Sequence, residues 1–545
     1  MEKRLLLAAV LSLAVLGLWE LLVPKPPKPS AQKLPAAVSP LPPAATASGP
    51  ASPAAPAPAP RQERLPTPVA AREETPATLA NDLLRATFSN RGAVLTSLLL
   101  LRHTDDKKKP LELVRQLPPP AEKPLALDFP GNPELTGRVA GGLFTVERLS
   151  DRALKFAYAD DTVAVTKEIH IAGGYLFDVK VNVVGPPYRL IAATGLRNPG
   201  SEEQASRYVT PATAIAATPG GFERARPEKM QKPAEWTVAE RGFAGLEDNY
   251  FLAVLLPKQA STAVAFPVPL TDKEGKPAPT VGAGISGNGE LSARAYYGPK
   301  DVEILESLNL GLEKTVDFGW YGILARPLLW LLKRTYGYVG NWGVAILLVT
   351  LAIRILLFPL MHKSYASMRK MQKLAPKMNA IRDKYKKSKS DAAQRQKMNE
   401  ELMKLYQAEG YNPMSGCFPI LLQLPILVAF YNVLSRAIEL RHAPFVLWIT
   451  DLSAMDRTYV LLILMTVTMY VQQAMTPTTV DPAQKKIFMA MPLLWGFFLK
   501  DMPSGLVLYW LFSNVLTILQ QVLIQKMGKD EPNIEKPAKL KRLRA

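Results

Sequence analysis

The sequence predicts a multi-domain membrane protein in which an α-helical bundle is joined to a large antiparallel β-sandwich domain. Apolar blocks long enough for membrane helices fill the C-terminal part, and short runs of alternating polar and apolar residues fill residues 77–310. A proline-rich stretch separates the first apolar block from the rest. With 21% charged residues, a net charge of +19 and a mean hydropathy of +0.03, the chain is too apolar for a disordered basic protein.

The first apolar block predicts a membrane anchor at residues 1–23. Lys3 and Arg4 precede an apolar run of about 19 residues, the length that spans a bilayer. No small-x-small cleavage motif closes the run, so we expect an uncleaved anchor rather than a cleaved signal peptide. Residues 24–76 hold 16 of the 49 prolines and predict an extended linker, either a spacer outside the membrane or a low-complexity filler.

Residues 77–310 predict the β-sandwich. Residues 163–171 alternate apolar and polar side chains, and Gly173 and Gly174 supply a turn into residues 176–184, as in a hairpin. Other strands are predicted at 83–88, 93–101, 153–159, 251–256, 262–268 and 291–297. Residues 282–287 match the GxGxxG motif but lack a predicted strand before and a helix after it, so we interpret them as a glycine-rich hairpin loop.

The character of the chain changes after Asp317. Residues 317–340 place apolar side chains among Arg326, Lys333 and Arg334, typical of an amphipathic helix in the membrane interface, although an ordinary packed helix has the same pattern. The core at residues 341–527 contains five predicted spans, at 344–361, 417–434, 459–472, 487–499 and 505–524. With the anchor they make six crossings, so both termini lie on one side.

Positive charge predicts the orientation of these spans. Thirteen Lys or Arg residues lie between His362 and Gly416 and seven follow Gln525, against two in residues 437–458. Because basic loops face the cytoplasm, we expect both termini, segment 363–411 and the basic tail 528–545 there. The β domain then lies in the periplasm of a double-membraned bacterium.

Arg354 lies in the middle of an apolar span. A central arginine costs about 2.5–3.5 kcal/mol on insertion scales, so it either snorkels to the cytoplasmic surface or enters an internal hydrated site, with Thr350 one turn away. Polar residues of other spans favour the hydrated site, although such residues often only bond neighbouring helices. They are Gln423, Tyr509, Trp510, Ser513, Asn514, Thr517, Gln520 and Gln521.

Residues 363–411 predict a cytoplasmic helical hairpin. An apolar stripe with steps of three or four residues includes Met368, Met371 and Met378, and a basic run with Lys386 and Lys387 forms the turn. The stripe indicates either an antiparallel coiled coil or a methionine-rich surface that binds apolar segments of other proteins.

The sequence contains few of the residue patterns that catalytic sites use. Cys417 is the only cysteine, the four histidines lie far apart, and no GxxxxGK[ST] nucleotide motif occurs. We therefore expect no cofactor, no metal and no enzymatic activity. An intramembrane hydrolase is disfavoured because no Ser/His or Asp/Asp pair lies in adjacent spans. A transporter that uses Arg354 for an anionic substrate is the alternative function.

Several motifs of the core resemble the YidC/Oxa/Alb family of membrane protein insertases. They are NWG at 341–343, FPL at 358–360, KMQKLAPK at 370–377, NPMSGCFP at 412–419, FVLWITDLS at 445–453 and PSGLVLYW at 503–510, and the resemblance covers residues 317–527. The anchor, linker and β domain are similar to the Gram-negative form, which implies a supersandwich-like β domain. The implied function is an insertase and chaperone of the bacterial inner membrane that works alone or with the Sec translocon through a cytoplasm-open hydrophilic groove.

The resemblance also implies roles for single residues. Arg354 would charge the groove, and Thr350, Tyr509 and Trp510 would line the path of the client helix, with Trp510 in place of a second tyrosine. The implied partners are nascent membrane proteins, the Sec translocon with its SecD and SecF accessory subunits, the ribosome, the signal recognition particle receptor and membrane lipids, but not DNA. The hairpin and a basic tail would contact the ribosome and targeting factors. The β domain would contact the Sec partners. The tail residues are Lys539, Lys541, Arg542 and Arg544.

Overall fold

A computed structural model of the chain describes residues 68–118, 121–198, 211–270, 279–385, 392–409, 418–476 and 482–527, all of which belong to one unit spanning residues 64–545. The predicted anchor 1–23, the linker up to residue 67 and the tail 528–545 lie outside the described residues. Lys386 and Lys387 of the predicted hairpin turn do so as well.

The β domain contains 18 strands in the part of the chain that the structure describes. They are β1 (Pro76–Ala80), β2 (Leu84–Ser89), β3 (Val94–Thr104), β4 (Pro110–Glu112), β5 (Leu127–Asp128), β6 (Thr145–Ser150), β7 (Ala153–Ala159), β8 (Ala164–Gly173), β9 (Leu176–Val184), β10 (Tyr188–Thr194), β11 (Thr213–Thr218), β12 (Gly221–Ala225), β13 (Ala234–Val238), β14 (Ala244–Glu247), β15 (Phe251–Pro257), β16 (Ser261–Val268), β17 (Thr280–Gly287) and β18 (Glu290–Pro299). Two short helices, α1 (Pro133–Gly141) and α2 (Val302–Ser307), accompany them.

The strands form three antiparallel sheets. The four-stranded sheet has the order β1-β2-β3-β4, the five-stranded sheet β13-β16-β17-β10-β5 and the nine-stranded sheet β12-β11-β14-β15-β18-β9-β8-β7-β6. The five-stranded sheet packs on the nine-stranded one, because β17 contacts β14 and β10 contacts both β14 and β15. The predicted antiparallel sandwich is confirmed, and so is the hairpin β8–β9, in which Gly173 lies opposite Leu176.

The glycine-rich segment was interpreted wrongly as a loop. Residues 282–287 lie in β17, between β16 and β10, and the turn into β18 comes only at Asn288 and Gly289. A Cβ atom on Gly284 would lie 2.6 Å from the carbonyl oxygen of Leu190, and one on Gly282 would lie 2.3 Å from the ring of Phe266. Glycine therefore allows the neighbouring strand and side chain to approach the backbone closely here.

Lys167 on β8 joins the sheets from inside the domain. It is 0% exposed, and its ammonium group donates to the carbonyl oxygens of Gly92 at 2.9 Å, Ala93 at 3.0 Å and Leu125 at 2.7 Å. All three acceptor residues have positive φ angles, so Lys167 holds two strained turns against the nine-stranded sheet. Burial lowers the pKa of Lys167 to about 7.

The depressed pKa predicts a pH-dependent stability. Between about pH 7 and the unfolded pKa near 10.5 the unfolded chain binds the proton and the folded chain does not, so the folded state gains up to about 1.4 kcal/mol per pH unit as pH rises. Lys167→Met should abolish this gain and leave the carbonyl groups without a donor, at a cost of about 1–3 kcal/mol. Hydrogen exchange of the β8 amides at pH 7 and pH 9, corrected for intrinsic rates, measures both effects. If the protection of the β8 amides differs between the two proteins by the same amount at pH 7 and pH 9, Lys167 does not cause the pH dependence.

Seven helices follow the β domain in the described residues. They are α3 (Gly322–Val339), α4 (Trp342–Lys384), α5 (Ala392–Ala408), α6 (Phe418–Arg436), α7 (Val460–Met475), α8 (Pro482–Phe498) and α9 (Ser504–Met527). The segments Trp342–His362 and Ser504–Ile524 are long and apolar enough to cross a membrane, and three shorter apolar helices accompany them. The predicted span at 344–361 and the first arm of the hairpin are one 43-residue helix, because neither Pro359 nor Pro376 ends it.

The second half of α4 packs on α5 as a helical hairpin. Met378 is 0% exposed and lies in a cluster with Leu374 and Leu402. Ion pairs Lys377–Glu409 at 2.6 Å and Lys384–Glu401 at 2.7 Å flank this cluster. For Met378 this arrangement favours the coiled-coil interpretation over an open binding surface, whereas the side chains of Met368 and Met371 lie outside the described part.

Helix α3 has two apolar faces. Ala325, Leu328, Leu329 and Leu332 are buried against the core, whereas Trp320, just before the helix, is 81% exposed and Ile323 is 82% exposed. Lys333 ties the helix to both parts of the chain, with Glu439 after α6 and with Glu303 of the β domain at 3.1 Å. An exposed apolar face beside a buried one is what a helix at the membrane interface requires, and that location stays a prediction.

The loop that follows α6 contacts the β domain. Arg441 donates to the carbonyl oxygen of Thr104 at 2.7 Å, and Nε2 of His442 lies 3.5 Å from Asp106 in the β3–β4 turn. At the end of α6, Asn249 donates to the carbonyl oxygen of Ser435 at 3.3 Å. These contacts place the β domain directly against one end of the helical core.

Candidate functional site

Helices α4, α6, α7, α8 and α9 enclose a cavity of about 650 Å³, which we call the groove. Its lining contains both polar and apolar side chains. The polar ones are Arg354, Tyr365, Gln423, Tyr431, Gln472, Gln473, Trp510, Ser513, Asn514 and Thr517, and the apolar ones are Met361, Leu424, Leu427, Val428, Met469, Phe488, Met491, Pro492, Trp495, Leu499, Met502 and Leu506. The groove is therefore amphipathic, with most of its polar groups on α4, α6 and α9.

Arg354 is held by a short network. Its guanidinium donates to the hydroxyl of Ser513 on α9. Gln423 on α6 donates to the hydroxyl of Tyr509 at 2.5 Å and lies 3.4 Å from the Ser513 hydroxyl. The ring of Tyr509 in turn stacks on Phe430 with a centroid distance of 4.0 Å. Three helices thus contribute to one network around a half-buried cation, whose acceptor is the Ser513 hydroxyl and which has no carboxylate partner among the described residues.

The polar stripe of α9 continues toward the hairpin end of the core. Asn514 lies 3.4 Å from the hydroxyl of Thr468 on α7, and Thr517 donates to the carbonyl oxygen of Ser513 at 2.8 Å. Gln521 donates to the hydroxyl of Tyr365 at 3.1 Å. Some residues of the stripe therefore form hydrogen bonds to neighbouring helices, which is the common role of polar residues in membrane helices. The other residues of the stripe face the groove.

The structure divides the predicted site residues into two groups. Arg354, Gln423, Trp510, Ser513, Asn514 and Thr517 lie in the groove wall. Thr350, Tyr509 and Gln521 are at most 4% exposed and are not part of that wall. Thr350 donates to the carbonyl oxygen of Ile346 one turn earlier at 2.6 Å, so its hydroxyl is satisfied within α4. Tyr509 acts from behind the wall, by holding Gln423.

Sequence reasoning missed the apolar wall. Four methionines, Met361, Met469, Met491 and Met502, line the groove from three helices and the segment before α9. Their signal in the sequence is weak, because methionine is common in any apolar helix, and only the packing of α4 and α7 on α9 and of α8 on α7 brings them together. Gln472 and Gln473 at the end of α7 were detectable as adjacent amides in an apolar helix, but the sequence analysis did not single them out.

The lining of the groove, as far as the structure describes it, contains no His, Cys, Asp or Glu side chain. Within the described residues no group of three or more His, Cys, Asp or Glu side chains could hold a metal ion. The cation of Arg354 and the surrounding hydroxyl and amide groups can instead attract an anionic or polar segment and supply hydrogen bonds to it.

Two family models match the chain in succession. The model of the YidC periplasmic domain matches residues 77–331, and the model of the 60Kd inner membrane protein matches residues 334–531. The boundary between them coincides with α3, which joins the β domain to the core.

Curated relatives match over nearly the whole chain. A membrane protein insertase YidC from Geotalea daltonii is 35% identical over 96% of this chain and 99% of its own length. The YidC of Geobacter sulfurreducens is 39% identical over 67% of this chain and 68% of its own length. A crystal structure of an active YidC insertase aligns over 84% of this chain and 94% of its own at 20% identity, but with a TM-score of 0.36 it carries no weight for the fold.

These findings give no support to the transporter alternative, since the relatives are named insertases. A relative that matches over 96% of this chain and 99% of its own length shares 35% identity, and the two family models cover the β domain and the core in turn. The chain therefore belongs to the YidC family of membrane protein insertases, non-enzymatic proteins of the inner membrane with a periplasmic domain.

Proposed function

We propose that the groove is the route by which this insertase moves polar segments of its clients into the membrane. The observation that carries the proposal is the amphipathic lining, in which Arg354, Ser513 and Gln423 share one cavity with methionines and aromatic rings. A client helix with a polar flank needs both surfaces at once. The flank exchanges water for the hydroxyls, amides and cation of the groove, and the apolar part contacts the soft methionine wall.

The dimensions of two helices support release of the client into lipid. Helices α7 and α8 have 16 and 17 residues, or about 24 and 26 Å at 1.5 Å per residue, against a hydrocarbon core of about 30 Å. Short helices thin the bilayer beside them, which lowers the barrier for a polar segment. Burial of the client's apolar surface in lipid drives the transfer, with a contribution from the membrane potential for charged flanks.

The charge of Arg354 should matter most for clients with acidic translocated segments. A carboxylate at about 6 Å gains about 3 kcal/mol at an effective dielectric of 20, which corresponds to about 100-fold in affinity. We expect Arg354→Lys to retain most insertion, Arg354→Ala to lose part and Arg354→Glu to lose most. Protease protection of the translocated segment measures insertion, and a matched client with Asn in place of Asp is the control. Equal insertion of the acidic client by all three variants would show that the charge of Arg354 does not promote insertion.

We also propose that both termini and the α4–α5 hairpin are cytoplasmic, that all five core helices cross the membrane and that the β domain is periplasmic. The supporting observation is the basic hairpin opposite a β domain that sits on the loop after α6. In a Cys417→Ser background, Leu447→Cys, which is at an 84% exposed position after α6, should react with an impermeant maleimide on intact spheroplasts. Lys404→Cys on exposed α5 should react only after permeabilisation, and the reverse pattern would invert the topology.

Partners follow from the same topology. The β domain would contact the Sec translocon with SecD and SecF on the periplasmic side, and the hairpin and tail would contact the ribosome and the signal recognition particle receptor. Replacement of Lys539, Lys541, Arg542 and Arg544 by Gln should lower co-sedimentation with ribosomes several-fold at low salt, since phosphate contacts carry such binding. The same substitutions should leave the insertase folded. Unchanged co-sedimentation would assign ribosome contact to another segment.

A further inference from the structure

A second cavity of about 360 Å³ lies between the β domain and the end of α6. We call it the foot pocket. The β domain contributes Thr213, Arg224, Arg226, Glu247, Asp248, Asn249 and Lys300, the connector before α3 contributes Thr315, Val316 and Asp317, and α6 contributes Tyr431, Ser435 and Arg436. Four of these residues are cationic and three are acidic.

The acidic groups of the foot pocket are already engaged. Glu247 accepts from Nε of Arg224 at 2.7 Å through one oxygen and from Lys300 at 2.9 Å through the other. One oxygen of Asp248 pairs with the buried Arg197 at 2.6 Å, and the other accepts backbone N–H groups of residues 250 and 251. Asp317 accepts the backbone N–H of Gly319 at 2.7 Å. Two of the three carboxylates are thus paired with cations, and the third, that of Asp317, is bound to a backbone N–H group.

The cationic groups keep donors to spare. Arg226 is exposed and makes no ion pair among the residues that the structure describes. Arg436 donates to the carbonyl oxygen of Asp317 and makes no ion pair within the described part of the chain. Arg224 is bound to its carboxylate through Nε. A guanidinium presents five N–H donors, so three guanidinium groups around one polar cavity favour a carboxylate-bearing ligand.

Tyr431 connects this pocket to the groove. One face of α6 lines the groove with Gln423, Leu427 and Tyr431, and the last turns of the same helix line the foot pocket with Tyr431 and Arg436. Tyr431 is a wall residue of both cavities. It is therefore the residue shared by a cavity that contains Arg354 and one that is rich in arginine.

We propose that the foot pocket is an exit site that binds the acidic side chains of a client segment as it leaves the groove past Tyr431. This inference rests on the proposed function of the groove. A carboxylate first attracted by Arg354 would pass to the guanidinium groups of Arg226 and Arg436 at the other end of α6. The β domain would then take part in insertion by holding the translocated segment, so that the segment does not slip back.

Photo-cross-linking in the full-length chain tests this exit site. The client is a single-span protein whose short translocated tail carries either two Asp or two Asn residues around a photoreactive residue. With the Asp tail, cross-links should map to residues 213–226, 315–317 or 431–436. Arg226→Glu should lower these cross-links at least fivefold and Arg226→Lys should preserve them. Arg152→Glu, an exposed arginine in the β6–β7 turn, is the matched control and should have no effect.

Three results would overturn the exit site. The tail could cross-link to the groove wall but not to the foot pocket, which would leave the groove function intact. Arg226→Glu could lower the cross-links of Asp and Asn tails equally, which would show that charge is not recognised. Arg226→Glu could alter only the anionic phospholipid retained by the purified chain, which would assign the pocket to a lipid headgroup. Absence of cross-links to the groove itself would instead refute the groove function.

Discussion

A guanidinium group among apolar helices has to be solvated by the protein or by water, and the arrangement of the core follows from this requirement. Arg354 on α4 reaches Ser513 on α9, and Gln423 on α6 joins Ser513 to Tyr509. The stacking of Tyr509 on Phe430 then fixes α9 against α6. Because no described carboxylate neutralises the cation, the site keeps a positive charge that can act on a client, at the expense of a less stable core.

The β domain is coupled to the core through one helix end. The last turn of α6 and the loop after it contact the β domain at Asn249, Thr104 and Asp106, and Lys333 of α3 joins the same loop through Glu439. Helix α6 also carries Gln423 in the groove. The helix thus has one end in the groove and the other against the β domain, and its Tyr431 lines both cavities, as the proposed exit site requires.

Strands were predictable where one face of a sheet is more exposed than the other. In β9 the buried Phe177, Val179 and Val181 alternate with more exposed neighbours, so its period of two is visible in the sequence. The strands β14, β15 and β17 are buried on both faces over most of their length, and only the apolar run of β15 was recognised. In β17, Gly282 and Gly284 replace larger residues because the ring of Phe266 and the backbone of Leu190 lie too close for a Cβ atom, and this removes the usual compositional signal.

The sequence alone predicted the order of the β domain and the helical core, the charge asymmetry and the polar stripe of α9, since each depends on period or composition within one segment. It also predicted Arg354 as a cation in need of a polar site. The structure was needed to show which stripe residues face the groove, that Tyr509 and Thr350 lie behind its wall, and that four methionines line the same cavity. The physical reason is that helical period specifies a face, whereas the neighbour of that face depends on packing between segments far apart in the chain.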